Sequence, residues 1–175
     1  MDTMIGVDLA KSVFQLHGAT MTGEVLFRKK LTRAQFQRFM SEHGPATVVL
    51  ECCGSAHFWA RKMQELDHDV KLIAPQYVRP FVKRQKNDAA DAEAIVVAAQ
   101  RPEMRFVEPK SAAQQARAVL FRARDRLVHH RTELMNVLRG VLYEHGFVFP
   151  QGTHHLGRIH AVLDDTESDL DPLVL

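Results

Sequence analysis

Three short apolar runs constrain the fold of this chain more than any other feature: Met4-Ile5-Gly6-Val7-Asp8, Thr47-Val48-Val49-Leu50-Glu51 and Val70-Lys71-Leu72-Ile73-Ala74. Runs of this length bounded by turn residues read as buried strands. Residues 12–20 and 25–31 continue as two further strands, joined by the Met21-Thr22-Gly23-Glu24 turn, so the first three strands form an antiparallel meander. Helices separate the later runs. Thr32 is an N-cap for a helix reaching His43, with Phe36, Phe39 and Met40 inward, and Gly44-Pro45 stops it. After Gly54-Ser55 a second helix runs to Leu66, its apolar face made by Phe58, Trp59, Met63 and Leu66. Strand, helix, strand, helix, strand predicts an α/β fold with a partly parallel sheet and helices on its faces.

The first two runs end on an acid. In α/β sheets the working crevice lies at the carboxyl ends of the strands, where Asp8 and Glu51 stand. A third acidic element is Lys86-Asn87-Asp88-Ala89-Ala90-Asp91-Ala92-Glu93-Ala94-Ile95. Asn87 reads as an N-cap and the alanines favour helix, predicting one over residues 88–100 with Asp88 and Asp91 on one face. Singly, each acid is equally a solvated strand edge or a complement to a helix dipole. Together they repel by about 1 kcal/mol per pair at 4 Å in water, and about 4 kcal/mol at an effective dielectric near 20. A cluster of four therefore calls for a counter-charge, and all-oxygen donors suit Mg²⁺ or Mn²⁺ rather than zinc.

The runs Gly6-Val7-Asp8-Leu9-Ala10-Lys11, Leu50-Glu51-Cys52-Cys53-Gly54 and Lys86-Asn87-Asp88-Ala89-Ala90-Asp91-Ala92, in this order, closely resemble the amino-terminal domain of the DEDD-type insertion-sequence transposases. These are RuvC-like recombinases, related to pilin-gene invertases and guided by a bridge RNA. Residues 73–81 resemble the family's approach to its last acidic motif, and the likeness spans residues 4–146. It implies an RNase-H-like (RuvC-like) mixed sheet in which Asp8, Glu51, Asp88 and Asp91 bind metal and serve catalysis. Cys53 and Asn87 stand where the family usually has threonine, beside the acids where supporting contacts matter. Family members carry a further domain whose serine is thought to be the nucleophile; nothing after Gly146 resembles it, and neither Ser111 nor Ser168 is assigned that role. The chain thus reads as the front part of a recombinase.

Arg79, Lys83, Arg84 and Lys86 precede the acidic helix with Tyr77 and Phe81 interleaved, a pattern suited to backbone phosphates, as is Lys11 beside the first motif. From Lys110 a helical pattern of about 35 residues runs to His145 and spans about 50 Å. A heptad places Ala113, Ala116, Leu120, Ala123, Leu127, His130, Leu134, Val137, Val141 and Glu144 on one seam, with Arg117, Arg124 and Arg131 among the arginines outside it. This predicts a coiled-coil arm that pairs chains and touches nucleic acid; packing back on its own domain is the alternative. The expected organisation is a catalytic domain over residues 1–108, an arm over 109–147, and an acidic, mobile tail or linker over 148–175.

The formal net charge of +2 is only mildly basic, so nucleic-acid binding must rest on where the charges lie. No apolar run reaches membrane-spanning length and no basic leader opens the chain, which points to the cytoplasm. Cys52 and Cys53 are neighbours that cannot close a useful loop, and are expected to be reduced and buried.

The leading expectation is a metal-dependent transposase or recombinase domain acting on DNA phosphodiesters, forming a homodimer or higher oligomer, with guide RNA in the full-length protein and activity that can await the missing domain. The alternatives are a non-catalytic nucleic-acid-binding and dimerisation module, and a stand-alone Holliday-junction-type nuclease of the same fold.

Overall fold

The computed structural model describes residues 2–82, 88–165 and 170, with the side chains of residues 88 and 89 excepted. The chain divides into two compact units, residues 1–115 and 116–175.

The first unit is built on six strands: β1 (Thr3–Leu9), β2 (Val13–Thr20), β3 (Val25–Thr32), β4 (Thr47–Glu51), β5 (Asp69–Ile73) and β6 (Phe106–Val107). Their order in the sheet is β3-β2-β1-β4-β5-β6. The meander is antiparallel, β1, β4 and β5 are parallel, and β6 returns antiparallel along β5. Between them lie α1 (Arg33–Glu42), α2 (Ala56–Gln64), the short α3 (Pro75–Val78) with a 3₁₀ turn at Arg79–Phe81, and α4 (Asp88–Ala99). The expected mixed α/β sheet with helices is therefore present, with one strand more than the apolar runs announced.

Strand alternation separates two cores. Ile5, Val7, Val48, Leu50 and Leu72 face one side, where Phe36 and Met40 of α1 and Trp59, Ala60 and Met63 of α2 cover them. Met4, Val49 and Ile73 face the other, under Ala94, Ile95, Val96 and Ala98 of α4. Thr32 caps α1 as expected, its hydroxyl accepting from the Gln35 N–H while the Gln35 side chain accepts from the Thr32 N–H. Phe58 departs from expectation: it is exposed, because the inward stripe of α2 runs through Ala56, Trp59, Ala60 and Met63. Cys53 is likewise exposed and Cys52 half-buried, and both are free thiols.

The second unit holds most of α5 (Ala112–Glu144), a single 33-residue helix, and α6 (Leu156–Leu163). Gly146 at φ +86° ends α5, the Phe147 N–H returning to the Leu142 carbonyl at 2.9 Å. Leu142, Ile159 and Leu170 form a small core with Leu138, Phe147 and Phe149. Ordered helix thus stands at residues 156–163, where Pro/Gly-rich and acidic composition suggested a mobile tail; the alternation of Leu156, Ile159, Val162 and Leu163 supplies an apolar face that the composition of the whole tail conceals.

Candidate active site

Asp8 lies one residue from the end of β1 and Glu51 is the last residue of β4. The two strands run parallel with Val7 beside Leu50, so the next pair in register is Asp8 and Glu51, at the carboxyl end of the sheet. Asp8 shares its strand face with Met4 and Gly6, and Glu51 shares its face with Val49; this is the face covered by α4. At Gly6 the helix backbone comes so near that a Cβ built there would stand 2.6 Å from the Ala92 carbonyl oxygen. That close approach seats α4 on β1 at Ala92, and Asp91 is the residue before it.

All three described acids are half-buried. The Glu51 carboxyl is pushed above the usual carboxylate range, first by burial and then by the negative charges of Asp8 and Asp91, while the Arg79 guanidinium pulls it partly back. Three acids from three separate elements therefore act on one another at the strand ends, with a basic residue from the segment after β5 within reach. Among the described residues, no three His, Cys, Asp or Glu side chains stand close enough to hold a metal ion by themselves. Asp88 begins α4, and its side chain lies outside the described residues, so the four expected acids are not all in view.

The expected phosphate-binding residues fall in different places. Lys11 is exposed in the β1–β2 turn, its carbonyl accepting from Arg33 Nε at 2.8 Å. Arg79 is exposed on its 3₁₀ turn. Lys83, Arg84 and Lys86 lie outside the described residues. Arg117, Arg124 and Arg131 are exposed along α5 in the second unit, seven residues apart and so on one side of the helix.

Register adds residues that one-dimensional patterning does not reveal. Gln15 of β2 is paired with Asp8, and Lys30 of β3 with Gln15, so a polar row leads from the acids to the sheet edge on the α4 face. One step back, Arg28 Nη2 lies 3.3 Å from Glu93 Oε2 while its Nε donates to His17 Nδ1 at 3.4 Å, tying the edge strand to α4. On α2, His57 Nδ1 accepts from the Lys110 N–H at 3.1 Å, and Arg61 donates to the Lys110 carbonyl at 2.7 Å and to Gln115 at 2.9 Å. The Cys52 thiol is pushed up, mainly by burial and then by Cys53, and so stays protonated rather than offering a thiolate.

Fold and site together define a mixed α/β domain with an acidic centre at the carboxyl ends of parallel strands. The chain belongs to the DEDD transposase family of the IS110 type: the model of that family, described as Transposase, matches residues 5–147. The chain is 54% identical over 144 residues to a probable family 20 transposase of Pseudomonas aeruginosa, covering 82% of this chain and 43% of that protein. It is 44% identical over 165 residues to the transposase for insertion sequence element IS1328 of Yersinia enterocolitica, covering 94% and 49%. To the transposase for insertion sequence element IS1111A of Coxiella burnetii it is 43% identical over 149 residues, covering 85% and 41%. The chain thus spans less than half the length of each of these relatives. Among solved structures, RuvC of Thermus thermophilus aligns at 12% identity with a TM-score of 0.46, over 60% of this chain and 99% of that one. Among the described residues no helix is long and apolar enough to cross a membrane.

Proposed function

We propose that this chain is the acid-bearing, RNase-H-like part of a DNA transposase, working on phosphodiester bonds with Mg²⁺ or Mn²⁺. The observation that carries this reading is the meeting of Asp8 and Glu51 at the carboxyl ends of the parallel strands β1 and β4; burial first, and then the charges of Asp8 and Asp91, push the Glu51 carboxyl up, a field that a divalent cation relieves. The donor set fits such an ion, being all carboxylate oxygen. Asp8, Glu51, Asp91 and Asp88 would hold it, and when bound it would supply charge neutralisation and an activated water for phosphodiester cleavage. Asp8, Glu51 and Asp91 are each half-buried, and Arg79 offsets one negative charge while remaining exposed to a phosphate. Lys11, Lys83, Arg84 and Lys86 are the further phosphate contacts of this reading, with Arg117, Arg124 and Arg131 serving nucleic acid along α5. Self-association through α5, a guide RNA and a cytoplasmic setting complete it, as properties of the longer protein.

A second reading has an observation of its own in its favour. The chain spans less than half the length of the relatives it matches, which suits a binding and dimerisation module whose chemistry awaits the rest of the protein. One experiment separates the two. Melting temperature and cleavage of end-labelled DNA are measured with and without Mg²⁺ or Mn²⁺, for the wild type, Asp8→Asn and Glu51→Gln. The catalytic reading expects a metal-dependent rise in melting temperature and metal-dependent cleavage in the wild type, both lost in the variants. DNA binding with no metal response in any of the three supports the module instead.

A further inference from the structure

The segment after β5 and the loop after α4 enclose a cleft of about 440 Å³ beside Tyr77, Phe81, Arg101, Glu103, Met104 and Arg105. We propose that this cleft holds one unpaired nucleotide of a DNA strand, its base against Tyr77 and the Arg101 guanidinium that lies over Phe81, and its phosphate toward Arg105. The proposal rests on the nucleic-acid reading above and adds to it a stacking subsite outside the acidic centre.

Four features point to that ligand. Its volume is that of a small-ligand site. Tyr77 leaves 40% of its surface open although it is a large aromatic residue. Phe81 packs one side against the core beneath α4, together with Met104, and the Arg101 guanidinium sits 5.4 Å from its ring centroid. A rigid aromatic already carrying a planar cation suits a third planar group, and bases of every kind present a π-face. Arg105 adds a second positive charge, while Glu103 is an acceptor suited to an exocyclic amino group on the base edge rather than to the phosphate. The position is informative as well. Arg79, whose charge reaches Glu51, lies between Tyr77 and Phe81 in the chain, so a strand held in the cleft continues along the same short segment to the acids.

The test is fluorescence anisotropy of the 175-residue chain with a labelled single-stranded DNA of about 12 nucleotides, within the usual range of single-strand sites. It is run in EDTA, so that the metal chemistry is silent. Tyr77→Leu and Phe81→Leu keep apolar volume and remove the π-face; each is expected to weaken binding about fivefold or more without changing the salt dependence. Arg105→Gln is expected to lower the slope of log affinity against log salt by about one. Tyr77 lies on the rim, so its variant stays informative if Phe81→Leu perturbs folding. An abasic nucleotide moved along the strand is expected to reproduce the Tyr77→Leu loss at one position, where the two losses do not add. The proposal is overturned if both leucine variants bind like the wild type, if their loss appears in the salt slope, if the chain binds no single-stranded DNA, or if it prefers RNA of the same sequence. Gly44→Ala, which adds a carbon where nothing lies within 4 Å, is expected to bind the strand as the wild type does. A wild-type chain that stacks the strand but shows no metal-dependent cleavage would sink the catalytic reading and leave the cleft standing.

Discussion

His68 is buried between β4 and the end of α1, its Nδ1 3.3 Å from the Ala46 N–H and its Nε2 3.1 Å from the Met40 carbonyl. Because the Ala46 N–H donates to Nδ1, the ring proton belongs on Nε2, where it is donated to Met40; a second proton would break the Ala46 contact. Burial is the main reason the His68 pKa falls below its ordinary value, with His43 lowering it further and the Met40 carbonyl and Asp67 opposing. A depressed folded-state pKa gives stability that is complete above the unfolded value, near 6.5, and is lost as pH falls through the folded one. Glu51 works in the opposite sense. Its raised folded-state pKa means that acidification relieves its strain, so stability on its account is greatest at low pH and is lost as pH rises through the folded value. Thermal melts from about pH 7.5 to about pH 5 should therefore show a steeper loss in wild type than in His68→Gln, which keeps a donor for Met40 without gaining a charge. Equal slopes would mean that the His68 ring does not titrate against folding. In the same melts, Glu51→Gln at neutral pH and without metal should melt higher than the wild type, because the crowded charge is gone; a lower melting temperature would count against repulsion among the acids.

The element that sets the site is α4, and its seat is Gly6. A Cβ at that position would meet the Ala92 carbonyl oxygen at 2.6 Å and Val96 Cγ2 at 2.7 Å. The valine can rotate away, but a helix carbonyl moves only if the helix moves. Gly6→Ala should cost about 1–3 kcal/mol in urea unfolding, the range for overpacking a filled interior. Gly44→Ala, with nothing within 4 Å of the added carbon, is the matched control and should be near neutral. Moving α4 also moves Asp91, so any metal-induced rise in melting temperature should shrink in Gly6→Ala and not in Gly44→Ala. This close approach was not legible in the sequence, where Gly6 is simply a glycine inside a strand. The strands β1, β4 and β5 were legible because each is an apolar run with turn residues at its ends, and α1 because Thr32 offers an N-cap ahead of Phe36, Phe39 and Met40 and Gly44-Pro45 stops it. By contrast, β6 is two residues, Phe106–Val107, whose strand character comes entirely from pairing with β5. That Asp8 and Glu51 stand at or next to the carboxyl ends of their strands was readable one residue at a time. The row from Asp8 through Gln15 to Lys30 depends on register across three strands, which local patterning does not carry.

For the molecule as a whole, a formal charge of +2 conceals how unevenly the arginines lie. Leu120, Leu127, Leu134 and Val141 recur every seven residues on α5, and the three leucines leave about 70% of their surface exposed. The neighbouring Leu138 and Leu142 face the core shared with α6, so the second unit already covers one apolar side of this helix and leaves the other open. A second copy of the arm is the partner that the seven-residue period matches best, since a seam of leucines at heptad spacing is complementary to itself. The flanks of the seam oppose that pairing. Arg117, Arg124 and Arg131 line one side at every heptad, and Arg126 stands on the other with Glu133 as its acidic counterpart. Bringing two such arms together concentrates like charge, and either salt or the phosphates of a bound nucleic acid would relieve it. Sedimentation velocity should therefore show self-association that strengthens as salt rises from about 0.05 to about 0.3 M, and that DNA promotes at low salt. Arg124→Glu with Arg131→Glu should associate at low salt without DNA, whereas Leu127→Glu should remain monomeric under every condition. A wild-type chain that stays monomeric at high salt and with DNA would remove the second copy as the occupant of the stripe. Association that weakens with salt would show instead that charge pairs, not the leucine seam, hold the copies together.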